Sequence, residues 1–239
     1  MGGDFAPENI VKGALDAAPN LESTVLLVGI KSEIEKYIQG SVPKNIEIVE
    51  ASEVIGMAEK PIEALRKKKD SSISVAVDLV QKGEANIFVS AGNTGACTAA
   101  SLLKWRQMPG FHRPAIASVM PNYHGRFLLL DAGASPDVNP EQLVEFGIMG
   151  RAYASQIMGR KNPKVHLLNM GEEEGKGNAF SKQAYHLLSE FPWFAGNIES
   201  KDIFHQEVDV VVCDAFVGNI VLKCAEGVAE VIMKMIRVQ

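Results

Sequence analysis

Cysteine is scarce in this chain: Cys97, Cys213 and Cys224 are three among 239 residues. An odd number with no C-x-x-C spacing argues against a disulfide framework and fits a reducing compartment, the cytoplasm by default. No apolar run approaches the roughly 18 residues that a membrane span requires, and no charged leader precedes an apolar core at the N-terminus. Met1-Gly2 opens like a myristoylation signal, but Ala6 stands where that motif needs Ser or Thr. Positive charge is not in excess. Lys and Arg total 24 against 29 Asp and Glu, a net charge of −5, which argues against a general nucleic-acid coat. No complete G-x-G-x-x-G follows any expected strand, so no dinucleotide is expected. Gly171 to Gly177 fails as a P-loop because three residues rather than four separate its glycines and Gly177 replaces the magnesium-holding hydroxyl. The histidines, His112, His124, His166, His186 and His205, show no metal-ligand spacing, so no metal or other cofactor is expected.

What remains is an ordinary globular composition, 46% hydrophobic and 22% charged, with enough length to bury a full core. One domain over 1–239 is expected. Strand-like runs at 24–28, 46–49, 87–90, 127–130, 165–168 and 208–213 alternate with amphipathic helical patterns, and an apolar stretch covers 115–119. This rhythm predicts an α/β fold, a mostly parallel sheet with helices on both faces, whose ligands gather at the carboxyl ends of the strands. Pro61 opens a helix carrying Arg66-Lys67-Lys68-Lys69, and Asp70-Ser71-Ser72 precedes the next. Asn139, Pro140 and Gln142 read as the start of a helix whose inner stripe is Leu143, Phe146, Gly147, Gly150, Tyr153, Ala154 and Ile157. Ala99, Leu102 and Leu103 are expected to face inward, as are Val221, Cys224, Ala225, Val228, Ile232 and Met235 of the closing helix.

Four of the expected strands run into loops of one chemical kind: Ser90 through Gly92-Asn93-Thr94-Gly95, Asp131 to Gly133, Asn169 through Lys176-Gly177-Asn178, and Asp214 through Gly218-Asn219. Glycines let backbone amides close on a ligand, Asn and Thr add neutral donors, and Lys176 and Lys223 add charge. Such a rim suits a small oxyanion or a polarised carbonyl. Any one of these loops alone reads equally well as an ordinary turn between strand and helix. Cys97, early in a helix, has the place of an acidified nucleophile, but the plainer reading is a small packed side chain.

Taken jointly and in order, Met1-Gly2-Gly3-Asp4, Ala91 to Ala96, Arg113-Pro114-Ala115, Leu128 to Ala134, Leu168 to Gly171 with Lys176-Gly177-Asn178, Gly196 to Glu199, and Asp214 to Asn219 closely resemble the PlsX family of bacterial phosphate acyltransferases. The resemblance covers essentially the whole chain. It implies transfer of a fatty acyl group from acyl carrier protein to inorganic phosphate, giving acyl phosphate for phospholipid synthesis, and an isocitrate dehydrogenase/phosphotransacetylase-like fold. It also implies a homodimer, with peripheral membrane association through segments outside this chain. Members carry a strand ahead of Met-Gly-Gly-Asp and continue past the last helix seen here, so both are expected to be missing. Ala215 stands where the family usually has Gly, and Ser135 where it usually has Asn.

That chemistry needs little proton traffic, because phosphate is already ionised near neutrality and a thiolate leaves readily. Positioning and fixed donors are the requirement, and one oxyanion donor contributes roughly 3–4 kcal/mol. The expected assignment gives Lys176, Asn178, Asp214 and Asn219 catalytic roles. Gly92, Asn93, Thr94, Gly95, Asp131, Gly133 and Lys223 are assigned to substrate. An acidic carrier protein would dock on Arg66 to Lys69 or on Arg160, Lys161 and Lys164, unless these are simply solvated surface. Two other readings stay open: a metal-dependent dehydrogenase with Asp131 and Asp214 at strand ends, and a non-catalytic module that binds phosphate or an acyl carrier.

Overall fold

A computed structural model of the chain describes residues 1–38, 40 and 42–237. The chain divides into two compact units, Met1–Arg106 and Gln107–Gln239.

In the first unit helix α1 (Glu8–Ala17) precedes strand β1 (Val25–Gly29), short helix α2 (Lys31–Glu35) and strand β2 (Ile46–Glu50). β1 and β2 pair in parallel, from Val25 opposite Ile46 to Gly29 opposite Glu50. Val11, Leu27, Ile34 and Ile46 form the core around them. Helices α3 (Pro61–Lys67), α4 (Ser72–Gln81) and α5 (Thr94–Trp105) build a second cluster from Ile55, Ala64, Ile73, Val77, Ala96 and Ala100. Ser71 caps α4 by accepting the Ser74 N–H.

Two expectations need correction here. Residues 87–90 do not form a strand. Phe88 packs on the second cluster, but Ile87 is 78% and Val89 87% exposed. A β-branched sequence cannot satisfy its own ladder groups, and among the described residues β1 and β2 pair only with each other. On α5 the buried face is Ala96 and Ala100, while Leu102 and Leu103 point to solvent, because small side chains let the helix sit close to its neighbours.

The second unit holds a five-stranded sheet. Strands β3 (Ala117–Asn122) and β4 (Gly125–Leu130) form an antiparallel hairpin, and β5 (Val165–Asn169), β6 (Phe194–Glu199) and β7 (Val210–Val212) complete it in the order β3-β4-β7-β5-β6. All pairings beyond the hairpin are parallel. Period-two alternation divides the strand residues between two cores. Leu128, Leu130, Val165, Leu167, Val210 and Val212 pack with helices α6 (Pro140–Gln156) and α7 (Ala179–Ser189). Phe127, Leu129, Ile198, Val211 and Cys213 pack on the opposite face with Ile203 and the first turns of helix α8 (Ala215–Arg237).

Helix α6 begins with a complete capping box: Asn139 accepts the Gln142 N–H at 3.0 Å and Gln142 accepts the Asn139 N–H at 3.0 Å. Its glycines lie under neighbouring side chains. A Cβ on Gly150 would stand 2.6 Å from the Val210 side chain, so helix and strand approach only because that position is bare. Tyr153 and Ile157, expected on the inner stripe, are exposed: Ala154 holds the buried position beside Tyr153, and Ile157 lies just past the end of the helix.

The same geometry corrects the reading of α8. Val221, Leu222 and Ala225 pack on the sheet, whereas Cys224 is exposed, Val228 and Ile232 are at least half exposed and Met235 more so. A 23-residue helix runs to about 34 Å, while strands of three to six residues extend about 10–20 Å, so its second half has no sheet beneath it.

Candidate functional site

Because β4, β7 and β5 run in parallel and lie side by side, the loops leaving their carboxyl ends share one edge of the second unit's sheet. These are three of the four loops singled out from sequence. The fourth, residues 92–95, belongs to the first unit.

Asp131, first after β4, is fully buried, and its carboxylate organises the loop around itself. Oδ1 accepts the N–H groups of Ile116, Gly133 and Ala134 at 2.9–3.0 Å, and Oδ2 accepts that of Ser135 at 2.8 Å. With four backbone donors on two oxygens, its effect on any substrate runs through the loop it holds. Gly133 has a φ of 144°, which a side chain would strain, and the site of its absent Cβ lies 3.9 Å from Asn219 Oδ1. Ser135 donates its hydroxyl to the Pro114 carbonyl at 2.9 Å, tying the loop to the segment ahead of β3.

The β7 loop meets this one directly. Asp214 caps α8, its Oδ1 accepting the Val217 N–H at 2.9 Å. Gly218 lies against the Asp131 carbonyl so closely that any Cβ would collide with it. Asn219 is brought beside Gly133, and Lys223 follows one turn later on the same helix face, exposed. Asp131, Gly133, Asp214, Asn219 and Lys223 are therefore gathered by one loop pair and one helix N-terminus, whose dipole favours an anion. Cys213, between β7 and Asp214, is buried, and burial pushes its thiol well above the ordinary range, so no nucleophile is available there.

The β5 loop is built from amides. Asn169 Nδ2 donates to the Lys176 carbonyl at 3.2 Å and to Asn197 Oδ1 at 3.2 Å, and Asn197 Nδ2 donates to the Glu173 carbonyl at 3.0 Å. Lys176 N–H closes the turn onto that same Glu173 carbonyl at 3.0 Å. The Lys176 side chain is 52% exposed, with Glu173 at 3.8 Å, an exposed pair worth at most about 1 kcal/mol that leaves the ammonium free to engage a ligand. Asn178 caps α7, its Oδ1 accepting the Ser181 N–H at 2.9 Å. Lys201, just past β6 and not singled out from sequence, adds a cation near the end of that strand. Its bond to Glu199 at 3.1 Å, with that carboxylate's charge, raises its pKa.

In the first unit Asn93 is buried and already committed. Its Oδ1 accepts the Ala96 N–H at 3.0 Å, capping α5, while its Nδ2 faces the carbonyls of Gly56, Met57 and Glu59 at 3.0–3.3 Å. Gly92 lies against Gly2 and Gly95 against Pro61, each too closely for a side chain to fit without a shift. Helix geometry leaves the N–H groups of Thr94 and Gly95 without intrahelical acceptors, so these are the donors the loop presents. Cys97 is half-buried against the second cluster, as its plainer reading has it. Among the described residues no three His, Cys, Asp or Glu side chains gather as a metal-binding group.

The two basic runs differ. Arg66, Lys67 and Lys69 are exposed, while Lys68 is tied to Glu59 at 2.6 Å. Arg160 pairs with Asp209 at 3.4 Å and Lys164 donates to the Pro192 carbonyl, both at the amino ends of the strands, away from the Lys176 loop.

A family model described as "Fatty acid synthesis protein" matches residues 1–239. Proteins named phosphate acyltransferase match at high identity: that of Desulfitobacterium hafniense (strain Y51) is 50% identical over 240 residues, covering 99% of this chain and 72% of its own length. That of Heliobacterium modesticaldum is 51% identical over 241 residues with the same shares. The chain belongs to the phosphate acyltransferase family. It is thus an acyltransferase of fatty acid and phospholipid synthesis, and the dehydrogenase reading is set aside. Solved structures agree in fold: a phosphotransacetylase from Streptococcus pyogenes superposes with a TM-score of 0.64 at 18% identity, covering 94% of this chain and 80% of that one. A branched-chain phosphotransacylase from Enterococcus faecalis V583 gives 0.57 at 18% identity, covering 93% and 80%. No described helix is long and apolar enough to cross a membrane.

Proposed function

We propose that this acyltransferase moves a fatty acyl group from the thioester of acyl carrier protein to inorganic phosphate. A phosphate oxygen attacks the thioester carbonyl carbon, a tetrahedral oxyanion forms, and the C–S bond breaks to release the carrier thiolate and an acyl phosphate. The thiolate then takes a proton from water. The observation that carries this reading is the shared edge of the second unit, where Lys176, Asn219 and Lys223 stand on loops or helix starts leaving adjacent parallel strands. Lys176 would balance the charge that develops on the tetrahedral oxyanion, and Lys223, on the first turns of α8, would add an accessory cation toward phosphate. Asp131 and Asp214 would shape the wall through the backbone N–H groups they hold. Asn178 would set the start of α7 beside Lys176. The Thr94 and Gly95 amides of the first unit are, by the same chemistry, a separate pair of donors suited to an anionic oxygen.

The exposed cations Arg66, Lys67 and Lys69 are the proposed contact for an acidic carrier protein, which predicts a steep loss of rate as salt is raised. A homodimer and a cytoplasmic location, with peripheral membrane association, complete the proposal.

The test is to supply acyl carrier thioester and phosphate and to trap the product with hydroxylamine. Hydroxamate that appears only with phosphate present supports the transfer. Carrier or phosphate binding without hydroxamate would favour a holding module instead.

A further inference from the structure

Asn197 is a polar residue in the interior of a strand, a position where Asn is disfavoured and where its side chain must find partners or lose hydrogen bonds on burial. It is only 7% exposed. Both ends of its amide are engaged, Oδ1 by Asn169 Nδ2 and Nδ2 by the Glu173 carbonyl. The Glu173 carbonyl also takes the Lys176 N–H, and Asn169 holds the Lys176 carbonyl. The turn from Glu173 to Lys176 is therefore pinned at both ends by a two-amide ladder rooted in β5 and β6. Gly177 follows with a φ of 91°, its bare Cα against the Asn169 amide, so a side chain there would displace the ladder.

We infer that Asn197 is a positioning residue for acyl transfer: through Asn169 and Glu173 it fixes the backbone that carries Lys176. The inference rests on the reading above, in which Lys176 balances developing charge. Asn197 itself touches no substrate. Without it the Glu173 carbonyl loses its side-chain donor, Asn169 loses an acceptor, and the turn that aims the ammonium gains freedom. A displacement near 1 Å in such a group costs on the order of 100-fold in rate.

The test is a double-mutant cycle on the chain as it stands, following kcat, KM for the acyl carrier thioester, and the urea midpoint. Asn197→Ala is expected to lower kcat by roughly 10- to 100-fold, with KM changed far less. In a Lys176→Met background the same substitution is expected to cost under about 2-fold, because the group it positions is gone, while its shift in the urea midpoint is the same in both backgrounds. Asn197→Asp keeps the side chain's shape but sets a charged acceptor against the Glu173 carbonyl in place of the donor, so it is expected to lower kcat at least as far as Asn197→Ala, and it serves if the alanine variant fails to fold. Wild-type kcat in Asn197→Asp, or losses that multiply in the double variant, would overturn the inference while leaving Lys176 in its role. Full turnover in Lys176→Met would overturn the reading of the turn itself.

Discussion

Asp131 is expected to be a structural anion, and the substitution Asp131→Asn separates this from a role in proton transfer. The carboxylate accepts four backbone N–H groups at 2.8–3.0 Å with no exposure to water. Asparagine can keep its oxygen where Oδ1 stands and serve Ile116, Gly133 and Ala134. Its NH2 then faces the Ser135 N–H, donor against donor. Losing one hydrogen bond to a charged group costs about 1.5–3 kcal/mol, and the remaining three weaken as the acceptor becomes neutral, so a total near 3–4 kcal/mol is expected. For a chain of this length that is a fall of roughly 6–16 °C in Tm. Asp131→Ala orphans all four donors and is expected to cost more. Urea or thermal unfolding followed beside kcat is the assay. The expected pattern is a large stability loss with turnover reduced in step with disorder of the loop. A variant that melts within about 1 °C of the parent yet has lost turnover would refute the structural assignment and make Asp131 a group that reacts.

Further expectations come from single contacts. Gly218→Ala places a methyl against the Asp131 carbonyl, backbone that cannot swing aside, and against the buried Cys213 Sγ, so an overpacking loss of about 1–3 kcal/mol or more is expected in urea unfolding. His166 on β5 has its pKa lowered, chiefly by burial and partly offset by Asp209, and its Nδ1 is buried without a partner among the described residues. Its neutral form is favoured on folding, so this contribution is fully present above the unfolded pKa near 6.5 and is lost as pH falls below it. His166→Phe is expected to flatten the acid side of the stability profile below that point, and an unchanged profile would count against it. Cys97→Ser is expected to keep wild-type turnover, since the thiol is packed rather than presented, and a large loss in a folded variant would restore it as a nucleophile.

The parts of the molecule most legible in the sequence are those whose neighbours lie within the same unit and whose caps are local. The Asn139 box, the Ser71 cap and the continuous Phe127–Leu130 run all follow from residues within four positions of one another. Less legible features depend on what lies alongside. Residues 87–90 have strand composition, but strand formation is decided by a paired neighbour, which no local pattern reports. Strand β6 escaped detection for the converse reason: Gly196 and Asn197 interrupt its β-pattern, and the ladder with β5 overrides them. The apolar stripe of α8 has helical spacing throughout, yet spacing cannot tell where the sheet beneath it ends. At the site, composition pointed to the loops but not to the division of labour in them. Asp131 and Asn93 read as ligand contacts because they are polar residues beside glycines. Their burial and backbone partners show that they hold the loops, which composition alone did not report.

Fixed donors at the strand ends of the second unit carry the proposed transfer, and Lys176→Met measures their contribution most directly. Steady-state acyl transfer from carrier thioester to phosphate should fall about 100- to 1,000-fold, the loss typical of one donor to a developing oxyanion, with an unchanged urea midpoint because the side chain is half exposed and only weakly paired. Full turnover in a folded Lys176→Met enzyme would contradict it.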